Sequence, residues 1–462
     1  MKKEDVFGAY DIRGTYPDQV NEQLFYDIGR AFVRWRKTKK VYVGRDIRPH
    51  SGVLRKALTE GLRDQGADVI DLGLISTPMA YLASRKGDVL MITASHNPMH
   101  YNGIKAVLKG TQFLTGRQLL KLKPLLGKHT AAHRGKLIKK TILRSYLRTI
   151  LAHAHNINKT NVVFAGGNCT ATITIPKLLD HLPVDATFIG FNRHEFTHHE
   201  QQPDLLLNAK DCADMVKLKK AKLGVAFDGD MDRIAFIDDH GRIVPADIML
   251  ALFASYELKT HPKRTIVADL RSSRSLKNAI LAAGGQLVLS KVGTSATTAK
   301  MKRHRAILGG ELSGHFYFKD YFGVESADLA LVKLLTILSH TNLPLSALIA
   351  PYFQYENSGE LSFKVADKTR TLSAIKKAFI DGRISRTDGL TIEYPDAWFN
   401  VRPSNTEPVL RLVIEASTKE RLEEVSKAGY LVEFDIKTQY QEFALKKCYS
   451  RLCIFKKQTI KN

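Results

Sequence analysis

Cysteine is scarce in this sequence: Cys169, Cys212, Cys448 and Cys453 are all it has. Thiols so widely spaced neither build a disulfide scaffold nor show the paired spacing of a zinc site, and a reducing, cytoplasmic setting is expected. Long hydrophobic runs are missing too. A membrane span needs roughly 18–20 apolar residues, and the longest candidate, Leu329 to Leu338, is broken by Lys333. The opening MKKEDVFGAYDIRG places Glu4, Asp5 and Asp11 where a secretory signal needs an apolar segment. Neither export nor membrane attachment is expected.

Negative charge is the other shortage. Lys and Arg number 70 against 46 Asp and Glu, a formal charge of +24. Such a balance attracts any anion, whether nucleic acid, lipid surface or phosphorylated small molecule. No Arg/Lys stripe with interleaved aromatics is present, so no specific nucleic-acid partner is expected; a polyanion binder driven by charge alone stays as the alternative of another class. The remaining composition, 44% hydrophobic and 25% charged, is that of a globular protein. At 462 residues the chain outgrows a single core, and a prior of about 100–200 residues per domain suggests three or four.

Three segments repeat one layout, a β-branched strand running through a polar turn into a helix-patterned stretch: KVYVGRDIRPHSGVLRKALTEGL from Lys40, TNVVFAGGNCTATITIPKLLDHL from Thr160 and RTIVADLRSSRSLKNAILAAG from Arg264. This alternation predicts three similar α/β domains with mixed, largely parallel sheets, since parallel neighbours need a crossover. After Gly359 short strands and two helices predict a C-terminal α+β domain. The rhythm resets near residues 137–141, 241–245 and 351–359, which gives domains at 1–139, 140–242, 243–353 and 354–445, and a basic tail at 446–462.

Four polar loops carry the chemistry. VLMITASHNPMHYNGIK runs from an apolar strand into a tight turn presenting Ser95, with Asn97-Pro98 and Asn102-Gly103 as turn dipeptides. It lacks the G-x-S-x-G elbow of many serine hydrolases, and alone it is also compatible with a plain capped turn. LGVAFDGDMDRIAFID spaces Asp228, Asp230 and Asp232 so that alternation along a strand would put them on one face. Like charges so close call for a hard cation such as Mg²⁺. An EF-hand is excluded because Arg233 stands where that loop needs glycine. A haloacid-dehalogenase-like phosphatase with Asp228 as nucleophile would want Thr or Val where Asp232 stands, and would leave the Ser95 loop unexplained.

ILGGELSGHFYF brackets Glu311, Ser313 and His315 with glycines. Its carboxylate and hydroxyl suit a pair of sugar hydroxyls, and its imidazole a proton or a phosphate. WFNVRPSNTEPVLRLVIEA offers Arg402, Ser404, Asn405 and Thr406, with Arg411 on the following strand, which is the chemistry of a phosphate clamp. Taken singly, either loop could be purely structural.

Together, in this order and about one per domain, TASHNPMHYNGIK, DGDMDR, GGELSGH and RPSNTEP resemble the α-D-phosphohexomutase family over essentially the whole chain up to the tail. The resemblance implies four domains around a central cleft, with Ser95 as a phosphoserine whose phosphoryl oxygen joins Asp228, Asp230 and Asp232 around Mg²⁺. It also implies a sugar 1,6-bisphosphate as intermediate and primer. Lys105, with His96 second, is the acid/base candidate. The resemblance further implies that Arg13 and Arg233 stabilise the transferring group, and that Tyr10, Asn97, Arg271 and Lys291 join the third and fourth loops in binding the hexose phosphate. Tyr101 and the GGELSGHFYF context resemble phosphomannomutases or the bifunctional phosphomannomutase/phosphoglucomutase branch, so mannose 6-phosphate is the expected substrate, with glucose 6-phosphate or dual specificity as alternatives. Two stretches depart from the pattern: KVGTS, with Thr294 where some bifunctional members have His, and FGVESAD, where many relatives place an Asp-Gly pair. A monomer or weak oligomer is expected.

Overall fold

The computed structural model describes residues 6–8, 10–127, 133–192, 201–404 and 409–431. Among these residues the strands form four sheets. The chain divides into two compact units, one holding the first three sheets and the other the fourth.

Each of the three repeats folds as a parallel strand pair joined by a helix. Lys40–Arg45 runs parallel to Asp68–Leu74 across helix Ser51–Asp64. Thr160–Ala165 is parallel to Val184–Ile189 across Ala171–Leu179, and Thr265–Asp269 to Gln286–Ser290 across Arg274–Ala282. Residues such as Val41, Val43, Val163, Phe164, Ile266 and Val267 are almost wholly buried, as parallel strands covered on both faces require.

Each parallel core continues into an antiparallel return at the same place in its sheet. Asp88–Ile92 pairs with Tyr101–Leu108, Leu223–Phe227 with Ile234–Ile237, and Leu308–Gly310 with Phe316–Phe318. The turns of these three returns are the first three polar loops read from the sequence. A common hydrophobic core, including Tyr81, Phe164, Phe236, Phe253, Phe316 and Leu331, draws on all three sheets, so the three turns belong to one packed body. No single described helix is long and apolar enough to cross a membrane.

The fourth sheet is antiparallel throughout. Helices Lys368–Ala378 and Lys419–Leu431 accompany it, and its own core gathers Ile375, Ile392, Phe399, Leu412 and Leu422. This is the expected α+β domain. Ala397–Pro403 pairs antiparallel with Val409–Ala416, and the fourth polar segment of the sequence falls between them.

Candidate active site

Ser95 follows the buried strand Asp88–Ile92 and adopts a left-handed backbone, φ 51°, a conformation few residues other than glycine take. The buried Arg48 holds this turn in shape. Its guanidinium donates to the carbonyls of Ser95 at 2.8 Å, Asn97 at 2.6 Å, Pro98 at 2.7 Å and Tyr101 at 3.0 Å, and Asp46 balances its charge at 3.3 Å. The Ser95 amide donates to Thr93 Oγ1 at 2.9 Å. The hydroxyl so placed donates to Asp228 Oδ2 at 3.0 Å and lies 3.4 Å from His96 Nδ1.

The three aspartates converge by a turn rather than by strand alternation, which corrects the expectation from their spacing. Residues 228–233 reverse the chain between two antiparallel strands, with Met231 at φ 64°. All three carboxylates are buried, and one oxygen of each lies within 4.8 Å of the others. Lys105 Nζ donates to Asp230 Oδ2 and Asp232 Oδ2 at 2.6 Å each. Thr77 Oγ1 donates to Asp230 Oδ2 at 2.6 Å, and the Arg233 amide to Asp228 Oδ1 at 3.2 Å. Asp230 Oδ1 is buried with no hydrogen-bond partner among the described residues. Burial, reinforced by the charges of Asp232 and Asp230, pushes the Asp228 carboxyl well above its ordinary range. An oxygen-only cluster under this repulsion, with a buried carboxylate oxygen to spare, fits a hard divalent cation such as Mg²⁺.

Around this centre the other expected residues gather. Arg13 donates to Asn97 Oδ1 at 2.7 Å and to Asp11 at 2.5 Å. The nearby Arg233 charge, with burial and Arg13, holds His96 well below the usual histidine range, so its ring is neutral. In the third loop Ser313 Oγ lies 2.9 Å from His315 Nδ1, and His315 Nε2 lies 3.3 Å from both Asp232 Oδ1 and Arg233 Nε. Burial alone would discharge His315, but Asp232 and Glu311 outweigh it and push the imidazole up to about 10. Burial would likewise raise Glu311, yet His315 and the Tyr317 hydroxyl bring it down to about 2. Thr297 and Tyr317 donate to Glu311 Oε1 at 3.0 and 2.7 Å.

Arg271 is buried against Asp269, which it meets at 2.7 Å, while Lys291 is exposed. A side chain built on Gly293 would come within 3.4 Å of the partly exposed Tyr10 ring, so Tyr10 and the Lys291–Gly293 turn are neighbours. In the second unit Arg402 is a buried strand residue rather than a loop one, and it faces Arg411 across the hairpin. Glu360 accepts from Arg402 at 3.0 Å and from Arg411 at 2.7 Å. The Ser404 amide donates to Val409 O at 2.9 Å. Asn405, Thr406 and the basic tail lie outside the described residues.

Sequence reasoning missed Arg48, Thr77, Glu325 and Glu360. For Arg48 a signal exists: GRDIR puts three charges directly after a buried strand, a cost that only a specific role offsets. Thr77, in a Ser-Thr-Pro helix start, reads as a cap. Glu325 sits in a stretch singled out only as a departure, and nothing local marks Glu360.

Three α/β sheets, each presenting one polar hairpin turn, and an antiparallel fourth form the architecture of the α-D-phosphohexomutases. Models described as phosphoglucomutase/phosphomannomutase alpha/beta/alpha domains I, II and III and the C-terminal domain match residues 4–124, 144–241, 245–355 and 360–428. The chain is 36% identical to a phosphomannomutase of Methanocaldococcus jannaschii, over 91% of this chain and 96% of that one. It is 34% identical to a phosphomannomutase/phosphoglucomutase of Pseudomonas syringae pv. tomato (91% and 93% covered) and 32% identical to a phosphoglucomutase of Neisseria gonorrhoeae (91% and 95%). The crystal structure of a phosphoglucomutase/phosphomannomutase family protein from Burkholderia thailandensis superimposes with a TM-score of 0.84 at 29% identity, covering 97% of this chain and 98% of that one. The chain belongs to the phosphoglucomutase/phosphomannomutase family.

Proposed function

We propose that this enzyme interconverts mannose 6-phosphate and mannose 1-phosphate by way of a phosphorylated Ser95, with glucose phosphates as a second substrate class. The observation that carries the reading is the Ser95 hydroxyl, buried, held at a left-handed backbone and 3.0 Å from a carboxylate of the Asp228–Asp230–Asp232 cluster.

Asp228, Asp230 and Asp232 would hold Mg²⁺, which when bound supplies Lewis-acid stabilisation of charge on a phosphoryl group. The chain's own residues do the rest. Arg48 fixes the turn so that Ser95 Oγ faces one direction. A substrate hydroxyl attacks the phosphorus as the Oγ–P bond breaks, giving a sugar 1,6-bisphosphate; after this intermediate turns around, its other phosphate returns to Ser95 and the product leaves. Lys105 is the leading acid/base group, with His96 second: it gives a proton to the departing Ser95 oxygen and is restored by the proton of the attacking hydroxyl. Arg13 and Arg233 stabilise the transferring charge. Glu311, Ser313 and His315 read the sugar, and Arg402, Ser404, Asn405, Thr406 and Arg411, with Tyr10, Asn97, Arg271 and Lys291, bind the substrate and its phosphates. A sugar 1,6-bisphosphate primes the unphosphorylated enzyme. The reducing cytoplasm remains the expected setting.

The test is conversion of mannose 6-phosphate and glucose 6-phosphate to their 1-phosphates, with Mg²⁺ and a catalytic amount of sugar 1,6-bisphosphate. Turnover of mannose 6-phosphate, abolished in a folded Ser95→Ala variant, is the expected result. Full activity of that variant would falsify the phosphoserine route.

A further inference from the structure

One short helix, Thr77–Ser84, reaches two parts of the site. At its start Thr77 donates from its amide to the Asp230 carbonyl at 2.9 Å and from Oγ1 to Asp230 Oδ2 at 2.6 Å. One turn on, the buried Tyr81 hydroxyl donates to Glu325 Oε1 at 2.6 Å, and Tyr321 donates back to the Pro78 carbonyl at 2.7 Å. Glu325 is fully buried on a short strand whose neighbour is Tyr317. Thr294 Oγ1 lies 3.4 Å from the same Glu325 oxygen and 3.2 Å from the Tyr317 hydroxyl. That hydroxyl in turn donates to Glu311 Oε1. The chain of contacts therefore runs unbroken from the aspartate turn, through the helix, to the third loop. It passes through both stretches that the sequence marks as departures, KVGTS and FGVESAD.

We infer that Thr294 is a positioning residue, which with Glu325 and Tyr81 fixes the Glu311 carboxylate relative to the aspartate turn. The inference rests on the reading that Glu311 binds the sugar. Buried polar networks of this kind act as units, since each hydroxyl orients the next. Removing the Thr294 hydroxyl leaves Tyr317 with Glu311 alone and cuts the route from Glu311 to the helix that runs through Glu325, leaving the one through His315 and Asp232. The carboxylate keeps its donors from Thr297 and Ser313, so the fold survives while the reading geometry loosens.

The experiment uses the full-length enzyme with Mg²⁺ and catalytic sugar 1,6-bisphosphate, comparing Thr294→Val, Thr294→Ser, Tyr81→Phe and the Thr294→Val/Tyr81→Phe double variant. Loosened placement of a reading group raises KM for mannose 6-phosphate about 10-fold in Thr294→Val, with kcat and the thermal midpoint unchanged. Thr294→Ser restores the wild-type KM. Tyr81→Phe raises KM similarly, and the double variant is no worse than either single one, because both cut the same chain. An unchanged KM in Thr294→Val overturns the inference. So do additive effects, or a silent Tyr81→Phe beside an impaired Thr294→Val, which would mean that Thr294 touches substrate directly. A wild-type enzyme inactive on both hexose phosphates sinks the mutase reading and this inference with it; an active wild type with indifferent variants sinks the inference alone.

Discussion

The ammonium of Lys105 lies 2.6 Å from Asp230 Oδ2 and 2.6 Å from Asp232 Oδ2. Burial alone would favour the neutral amine, but the two carboxylates more than compensate and hold the group well above the ordinary lysine range. Lys105 is therefore charged at neutral pH, with a proton in place for the acid/base role proposed for it. Loss of a positioned proton donor costs typically 10²–10⁴-fold, so Lys105→Met should lose about 10²-fold or more in kcat. Lys105→Arg keeps the charge on a group that does not release its proton. Steady-state kinetics should find it nearly as impaired as the methionine variant, and a largely active Lys105→Arg would reduce Lys105 to an electrostatic role.

Arg48 makes a second prediction. Its guanidinium serves four carbonyls of the Ser95 turn while pairing with the buried Asp46. Arg48→Met leaves Asp46 buried without its counter-charge, which costs about 3–5 kcal/mol and should show as a clear fall in the thermal midpoint. Arg48→Lys retains the charge but offers a point donor in place of a planar fork. The expected outcome is a smaller loss of stability with a marked fall in kcat, because Ser95 is no longer held at its left-handed backbone. Wild-type kcat in Arg48→Lys would show that the turn keeps its shape unaided.

The contrast between Ser95 and Arg48 explains what was legible in the sequence. Ser95, the three aspartates and Glu311 sit in short contiguous loops whose polar residues interrupt buried strands, so local sequence exposes them. The strand–helix rhythm was legible for the same reason, since each repeat is a local unit. Arg48 reaches carbonyls 47 to 53 residues away along the chain, and Glu325 meets Tyr81 across 244. No local pattern records such partners. The aspartate turn shows a subtler failure: spacing of two residues reads as strand alternation, and nothing in DGDMDR announces that Met231 turns left-handed.

Asp328 yields a pH prediction away from the chemistry. It accepts from the Tyr146 hydroxyl in the core, and burial pushes its carboxyl up to about 6 from an ordinary 3.8, against the lowering effect of that hydrogen bond and one from Thr174. A raised acid binds its proton more tightly in the folded chain than in the unfolded one. Its contribution to stability is fully present below the unfolded value and is lost as pH climbs through the folded one. By neutral pH the loss is on the order of 3 kcal/mol. Asp328→Asn does not titrate, so wild type should lose stability relative to this variant between about pH 4 and 7. Thermal midpoints of both proteins across that range check it, and a constant gap would refute it.

Gly229 lies between Asp228 and Asp230, where the aspartate turn meets the serine turn. A Cβ built there would stand 2.4 Å from the Ser95 carbonyl oxygen and 3.0 Å from Pro203 Cβ, closer than such atoms approach without displacement. The Ser95 carbonyl cannot yield freely, because Arg48 holds it, and neither can Gly229, whose own carbonyl accepts from Thr170 Oγ1 at 2.9 Å. Gly229→Ala should therefore wedge the two turns apart. The contact at risk is the 3.0 Å approach of Ser95 Oγ to Asp228, the relationship on which the proposed phosphoryl transfer rests. A displacement near 1 Å at reacting groups costs about 10²-fold in rate, so kcat should fall by about that factor. Overpacking of this kind typically costs about 1–3 kcal/mol, so the thermal midpoint should fall as well. Wild-type turnover in Gly229→Ala would show that the two turns need not touch for catalysis.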